Sequence, residues 1–130
     1  MDGNGSEGWI LVAEDDALVR QAMVELLMQQ GYRVQATTDG AAALELLHRS
    51  RAAPPRVLIT DLDMPKLNGS DLITVLRNDP SYASLPVIVI SSFEGGALPL
   101  FQVERMLAKP VRPDTLLHVV SELLAVRVLI

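Results

Sequence analysis

Leu11-Val12-Ala13-Glu14-Asp15-Asp16 and Val57-Leu58-Ile59-Thr60-Asp61-Leu62-Asp63 decide how this chain folds. Each is a short apolar run that ends in a group of acids. Runs of this length between helical patterns read as buried parallel strands, apolar on both faces. Acids at the carboxyl ends of such strands gather at one edge of the sheet, where open α/β folds place their ligands. Crowded carboxylates repel by roughly 4 kcal/mol per close pair at an effective dielectric near 20. They persist at neutral pH with a cation or with raised pKa values. A hard divalent cation held by oxygen atoms answers the repulsion, and Mg2+ is the expected one.

Outward from these two stretches, the pattern alternates strand and helix along the chain. Strands are expected at residues 9–13, 33–37, 57–60, 87–91 and 105–108. Helices are expected at 16–30, 40–49 and 70–78, with a last one from Pro113. The first helix has Leu18, Val19, Ala22, Met23, Leu26 and Leu27 as its apolar face, and Gly31 stops it. Thr38 and Asp39 offer capping oxygens to the second helix, and Asp16 reads as a cap. Pro54 and Pro55 end any helical continuation, and Asn68-Gly69 reads as a turn. The last helix has Leu116, Leu117, Val119, Val120, Leu123 and Leu124 as its stripe. This alternation predicts one α/β domain, a parallel sheet covered on both faces.

The totals agree with a single globular domain. There are 130 residues, 49% hydrophobic and 21% charged, with a net charge of −5 and no cysteine. The acidic balance leaves no basic stripe for a nucleic-acid backbone. The lack of cysteine removes disulfides, thiolate chemistry and Cys-ligated zinc. No apolar run reaches the roughly 18 residues needed to cross a bilayer, and no basic apolar leader precedes the first strand. A cytoplasmic location is expected. Residues 1–8, rich in glycine, read as a flexible tail.

Four elements therefore meet at one sheet edge: Glu14-Asp15, Asp61, Ser91-Ser92, and Lys109 before Pro110. A carboxylate nucleophile, a metal site, a hydroxyl donor and a fixed cation are the parts that phosphoryl transfer needs. Taken singly, each has a plainer reading. An acid pair after a strand is more often a helix start, and Ser91 or Lys109 alone is a turn hydroxyl or a surface lysine. His48 and His118 read as solvent-facing, and Met23, Met28, Met64 and Met106 as packing residues.

The ordered set resembles the receiver domain of two-component response regulators over residues 9–126. The matching residues are Val12-Ala13-Glu14-Asp15, Thr60-Asp61-Leu62-Asp63-Met64-Pro65 with Gly69, Ser91, and Lys109-Pro110. The resemblance implies a flavodoxin-like, doubly wound five-stranded sheet in the order 2-1-3-4-5. It also implies that Asp61 accepts a phosphoryl group from a histidine kinase or phosphotransfer protein. Mg2+ would then be held by Glu14 (through water), Asp15, Asp61 and the backbone carbonyl of Asp63. Ser91 would be the switch hydroxyl, Lys109 the family's lysine, and the Lys109-Pro110 bond cis. Such a chain catalyses only its own phosphorylation and dephosphorylation and signals to a downstream protein partner, as a monomer or weak homodimer.

Two departures bear on output. Receivers usually carry an aromatic three residues before the lysine, where this chain has Met106. Residues 93–99, with two glycines and a proline, make a poor helix, and only seventeen residues separate Ser91 from Lys109. The helix between the fourth and fifth strands is therefore expected to be short or degenerate, as in single-domain or hybrid-kinase receivers of that type. Partners are expected to dock on the first and last helices instead. Residues 127–130 read as a tail or linker stump, and direct transcriptional control is not expected. A rival reading makes Asp61 and Asp63 the nucleophile and acid of a phosphohydrolase. A third is a degenerate receiver that only binds a partner; the intact Asp15, Asp61, Ser91 and Lys109 speak against it.

Overall fold

A computed structural model describes residues 8–92 and 103–125. Along these residues run β1 (Ile10–Ala13), α1 (Ala17–Gln29), β2 (Val34–Thr37), α2 (Gly40–Arg49), β3 (Val57–Asp61), α3 (Gly69–Arg77), β4 (Val87–Ser91), β5 (Arg105–Ala108) and α4 (Pro113–Ala125). All pairings are parallel, and the sheet runs β2-β1-β3-β4-β5, the expected flavodoxin-like order. The segment expected to hold a short or degenerate helix lies outside the described residues. So do the predicted tails, apart from Gly8.

Strand alternation divides the interior in two. Trp9, Leu11, Ala13, Leu58, Val87 and Val89 face α2 and α3, where they meet Ala43, Leu47, Leu72, Ile73 and Leu76. Ile10, Val12, Val57, Ile59, Ile88 and Ile90 face α1 and α4, against Met23, Leu27, Leu116, Val119 and Val120. The three central strands are buried along their whole length, while the edge strands β2 and β5 are half-exposed. That contrast is why the central runs are continuously apolar in sequence and the edge runs are not.

The helix ends follow the sequence closely. Asp16 caps α1, accepting from the amides of Leu18 and Val19, and Asp39 caps α2 through Ala42. Gly31, with φ of +92°, ends α1; the amides of Gly31 and Tyr32 reach back to the carbonyls of Met28 and Leu27. Asn68 differs from expectation. It is the cap of α3, accepting from the amide of Asp71, and Gly69 is already helical, so the pair opens a helix and makes no turn.

Two further expectations are corrected on α1. Its buried stripe is Val19, Met23, Leu26 and Leu27, whereas Leu18 is 78% exposed, Ala22 is exposed and Met28 is 58% exposed. Leu18, Ala22 and Met28 each stand one residue from a stripe position, about 100° around the helix and so out of the core. Met23 and Met64 are buried and Met106 is half-buried. His48 and His118 are exposed as expected, but each has a neighbour: Arg51 Nη2 lies 3.1 Å from His48 Nδ1, and Glu122 lies 3.3 Å from His118 Nε2. No helix of the described residues is long and apolar enough to cross a membrane.

Candidate functional site at the carboxyl edge of the sheet

Register decides which side chains meet. Ala13 pairs with Thr60, so Glu14 and Asp61 leave β1 and β3 at the same level. Asp61 pairs with Ile90, Ile90 with Leu107 and Ser91 with Ala108, which sets Ser91 one step and Lys109 two steps further out on neighbouring strands. The amide of Lys109 donates to the carbonyl of Ser91 at 3.0 Å. The Lys109-Pro110 bond is cis, as the resemblance implied.

The lysine closes the group. Its Nζ lies 2.7 Å from Asp61 Oδ2 and 3.1 Å from Glu14 Oε1. Glu14 is fully buried, Asp61 is 5% exposed and Ser91 is 2% exposed. Asp61 Oδ1 accepts from the amide of Asp63 at 3.2 Å, and Glu14 Oε2 from the amide of Asp16 at 3.0 Å. Burial pushes the Glu14 carboxyl above its ordinary range, against the pull of the Asp16 amide and of Lys109. Burial also works to lower the Lys109 ammonium, but its bonds to Asp61 and Glu14 outweigh this and hold it above its usual value.

Glu14, Asp15 and Asp61 each bring a carboxylate oxygen within 4.8 Å of the others. At that separation and an effective dielectric near 20, each pair of full charges repels by about 3.5 kcal/mol. Glu14 Oε1 is buried and, although close to Lys109, accepts no hydrogen bond. A buried carboxylate oxygen without a donor, beside two more carboxylates and a single ammonium, fits a hard cation with oxygen ligands. Of the predicted residues, the structure brings together Glu14, Asp15, Asp61 and Lys109, with Ser91 at the adjoining strand end. The side chain of Asp63 is exposed; its amide is what reaches Asp61. Met106 pairs with Val89 and packs half-buried on the α2–α3 side.

Backbone approach holds this edge together. The amide of Gly69 donates to the carbonyl of Leu62 at 2.8 Å, and a Cβ on Gly69 would run into the carbonyl of Asp61. A Cβ on Gly40 would likewise strike the carbonyl of Leu67 in the loop before α3. Both positions need glycine for lack of room. One participant escaped the sequence reading. Arg20, on α1, donates from Nη1 to the carbonyl of Glu14 at 2.9 Å and to that of Asp15 at 3.4 Å. The only sequence signal for it was a basic residue one turn into a helix that opens on three acids.

The model of the response regulator receiver domain family matches residues 10–121. The chain is 33% identical to the chemotaxis protein CheY1 of Helicobacter pylori, over 82% of this chain and 89% of that protein. It is 32% identical to the sensor histidine kinase TmoS of Ectopseudomonas mendocina, over 92% of this chain but only 12% of that kinase. Among solved structures, the receiver domain of the Francisella response regulator 1452 superimposes with a TM-score of 0.74 at 26% identity, covering 90% of this chain and 96% of that one.

Proposed function

This chain belongs to the response regulator receiver family, and from that membership we propose that it takes a phosphoryl group from a phosphohistidine onto Asp61 and signals the change to a protein partner. The observation that carries the proposal is the contact set of Lys109, whose ammonium bridges Asp61 and Glu14 beside Asp15. A carboxylate oxygen of Asp61 attacks phosphorus, the P–N bond to the donor histidine breaks, and the imidazole nitrogen keeps the electron pair and takes up a proton. Lys109 then turns part of its charge to a phosphoryl oxygen, and Ser91, at the end of β4, offers its hydroxyl to another. Glu14, Asp15, Asp61 and the carbonyl of Asp63 would hold Mg2+. When bound, it would neutralise charge on the acceptor and on the transferred group.

The new group adds close to two negative charges at pH 7. Met106 lacks the ring that usually reports this change in the family, so output passes by another route. Inward movement of the Ser91 loop toward the new oxygens would shift a two-state equilibrium. The donor docks on α1, where Leu18 stands 78% exposed two residues after Asp16. Such a donor is a histidine kinase or phosphotransfer protein, met in the cytoplasm. The phosphohydrolase reading loses support because the carboxylate of Asp63 is exposed while its amide bonds Asp61.

The test is acetyl phosphate with Mg2+, read by intact mass on the wild type and on Asp61→Asn. One phosphate-sized adduct on the wild type and none on Asp61→Asn supports the proposal. Equal labelling of both chains, or continuing turnover of a small phosphomonoester, rejects it.

A further inference from the structure

Three consecutive carbonyls of the acidic run accept hydrogen bonds from one residue. The guanidinium of Arg20 donates to the carbonyls of Glu14 (2.9 Å) and Asp15 (3.4 Å), and its backbone N–H donates to the carbonyl of Asp16 (2.9 Å). Residues 14–16 are the only ones between the end of β1 and the start of α1. Their peptide planes set the directions in which the Glu14 and Asp15 side chains leave the backbone.

We propose that Arg20 is a positioning residue for cation binding at this edge, fixing the Glu14-Asp15 backbone so that both carboxylates converge with Asp61. The inference rests on the phosphoacceptor reading above and adds a residue to it. A planar guanidinium loses little freedom when it bonds two neighbouring carbonyls, whereas a flexible donor would leave the peptides free to rotate. Groups that orient metal ligands from behind commonly alter affinity ten- to a hundredfold when removed. Asp15 and Asp16 are exposed, so water can replace the guanidinium at part of this backbone. The fold therefore depends on Arg20 much less than the aim of the carboxylates does.

The experiment is calorimetric titration of Mg2+ into the full chain and into Arg20→Met, Arg20→Lys and Arg20→Gln, with urea unfolding of each in EDTA. Arg20→Met is expected to bind Mg2+ about tenfold more weakly while its metal-free unfolding midpoint stays near that of the wild type. Arg20→Lys, which keeps the charge but on a flexible stem, recovers only part of that affinity. If Arg20→Met fails to fold, Arg20→Gln carries the test, with a smaller loss of the same sign. Wild-type affinity in folded variants overturns the role of Arg20 alone. So does an affinity that falls only in step with metal-free stability, since that marks a purely structural residue. A wild type that gives no Mg2+ binding heat overturns the phosphoacceptor reading, and this one with it.

Discussion

Replacing Lys109 by methionine keeps the apolar stem and deletes the ammonium that Glu14 and Asp61 share. At 2.7 and 3.1 Å, with an effective dielectric near 20, the two contacts amount to about 6 and 5 kcal/mol of gross attraction. Desolvation offsets most of this, because Glu14 is fully buried and Asp61 nearly so. Truncating one partner of a buried pair costs roughly 3–5 kcal/mol; the 21% exposure of the Lys109 side chain reduces that to about 2–3 kcal/mol.

The deficit also depends on pH. Burial raises the Glu14 carboxyl from its ordinary 4.5, and Lys109 is among the groups pulling it back. Without the lysine it rises further. A carboxyl with a folded pKa above its unfolded one binds more protons when folded, so its contribution is fully present below about pH 4.5 and is lost as pH climbs through the folded value. Lys109 is held above its usual 10.5, so its own contribution is constant across the neutral range. Urea unfolding in EDTA, followed by Trp9 fluorescence, is therefore expected to give a deficit of about 2–3 kcal/mol near pH 8 that shrinks on acidification toward pH 5 as Glu14 takes up a proton, while the part owed to Asp61 remains. An equal deficit at both values, or none, refutes this account of the site.

Other outcomes follow from the same contacts. Gly69→Ala drives a methyl group into the carbonyl of Asp61 and is expected to cost about 1–3 kcal/mol in urea unfolding and to slow labelling by acetyl phosphate, although residue 69 touches no phosphate. Leu18→Arg is expected to leave stability within about 0.5 kcal/mol and small-molecule labelling unchanged, while slowing phosphotransfer from a cognate kinase in a radiolabel assay; unaltered transfer would move the docking face off α1. Arg51 and the Ser81 amide hold Asp79 below its ordinary 3.8. A depressed carboxylate stabilises above its unfolded value and loses that contribution as pH falls through the folded one, so the urea midpoints of Asp79→Asn and the wild type converge on acidification below about pH 3.8. Leu72→Ala, fully buried between α3 and the sheet, is expected to cost about 2–5 kcal/mol by the same assay.

The sheet was legible in the sequence because its central strands are apolar on both faces and each ends at, or runs directly into, a polar residue that belongs to the edge. Glu14, Asp61, Ser91 and Lys109 could be placed together because parallel register levels the strand ends, and register follows from which residues are buried. Helix phase was less legible. Leu18 and Met28 carry the right chemistry for a core stripe and lie about 100° outside it, a difference that composition does not reveal. Asn68-Gly69 misled because the same pair suits a turn and a helix start, and the close approach to Asp61 decides between them. Arg20 was missed because its partners are carbonyls, which every residue has and which leave no mark in a sequence.

The split interior has a consequence for how such a molecule can change over time. Neighbouring positions on one strand belong to different half-cores, so a larger side chain at Leu11 is absorbed by α2 and α3, and one at Val12 by α1 and α4. Each half can drift and re-settle with the other as a fixed wall. The acids and the lysine at the strand tips answer to both halves at once, and this limits how far the two can diverge.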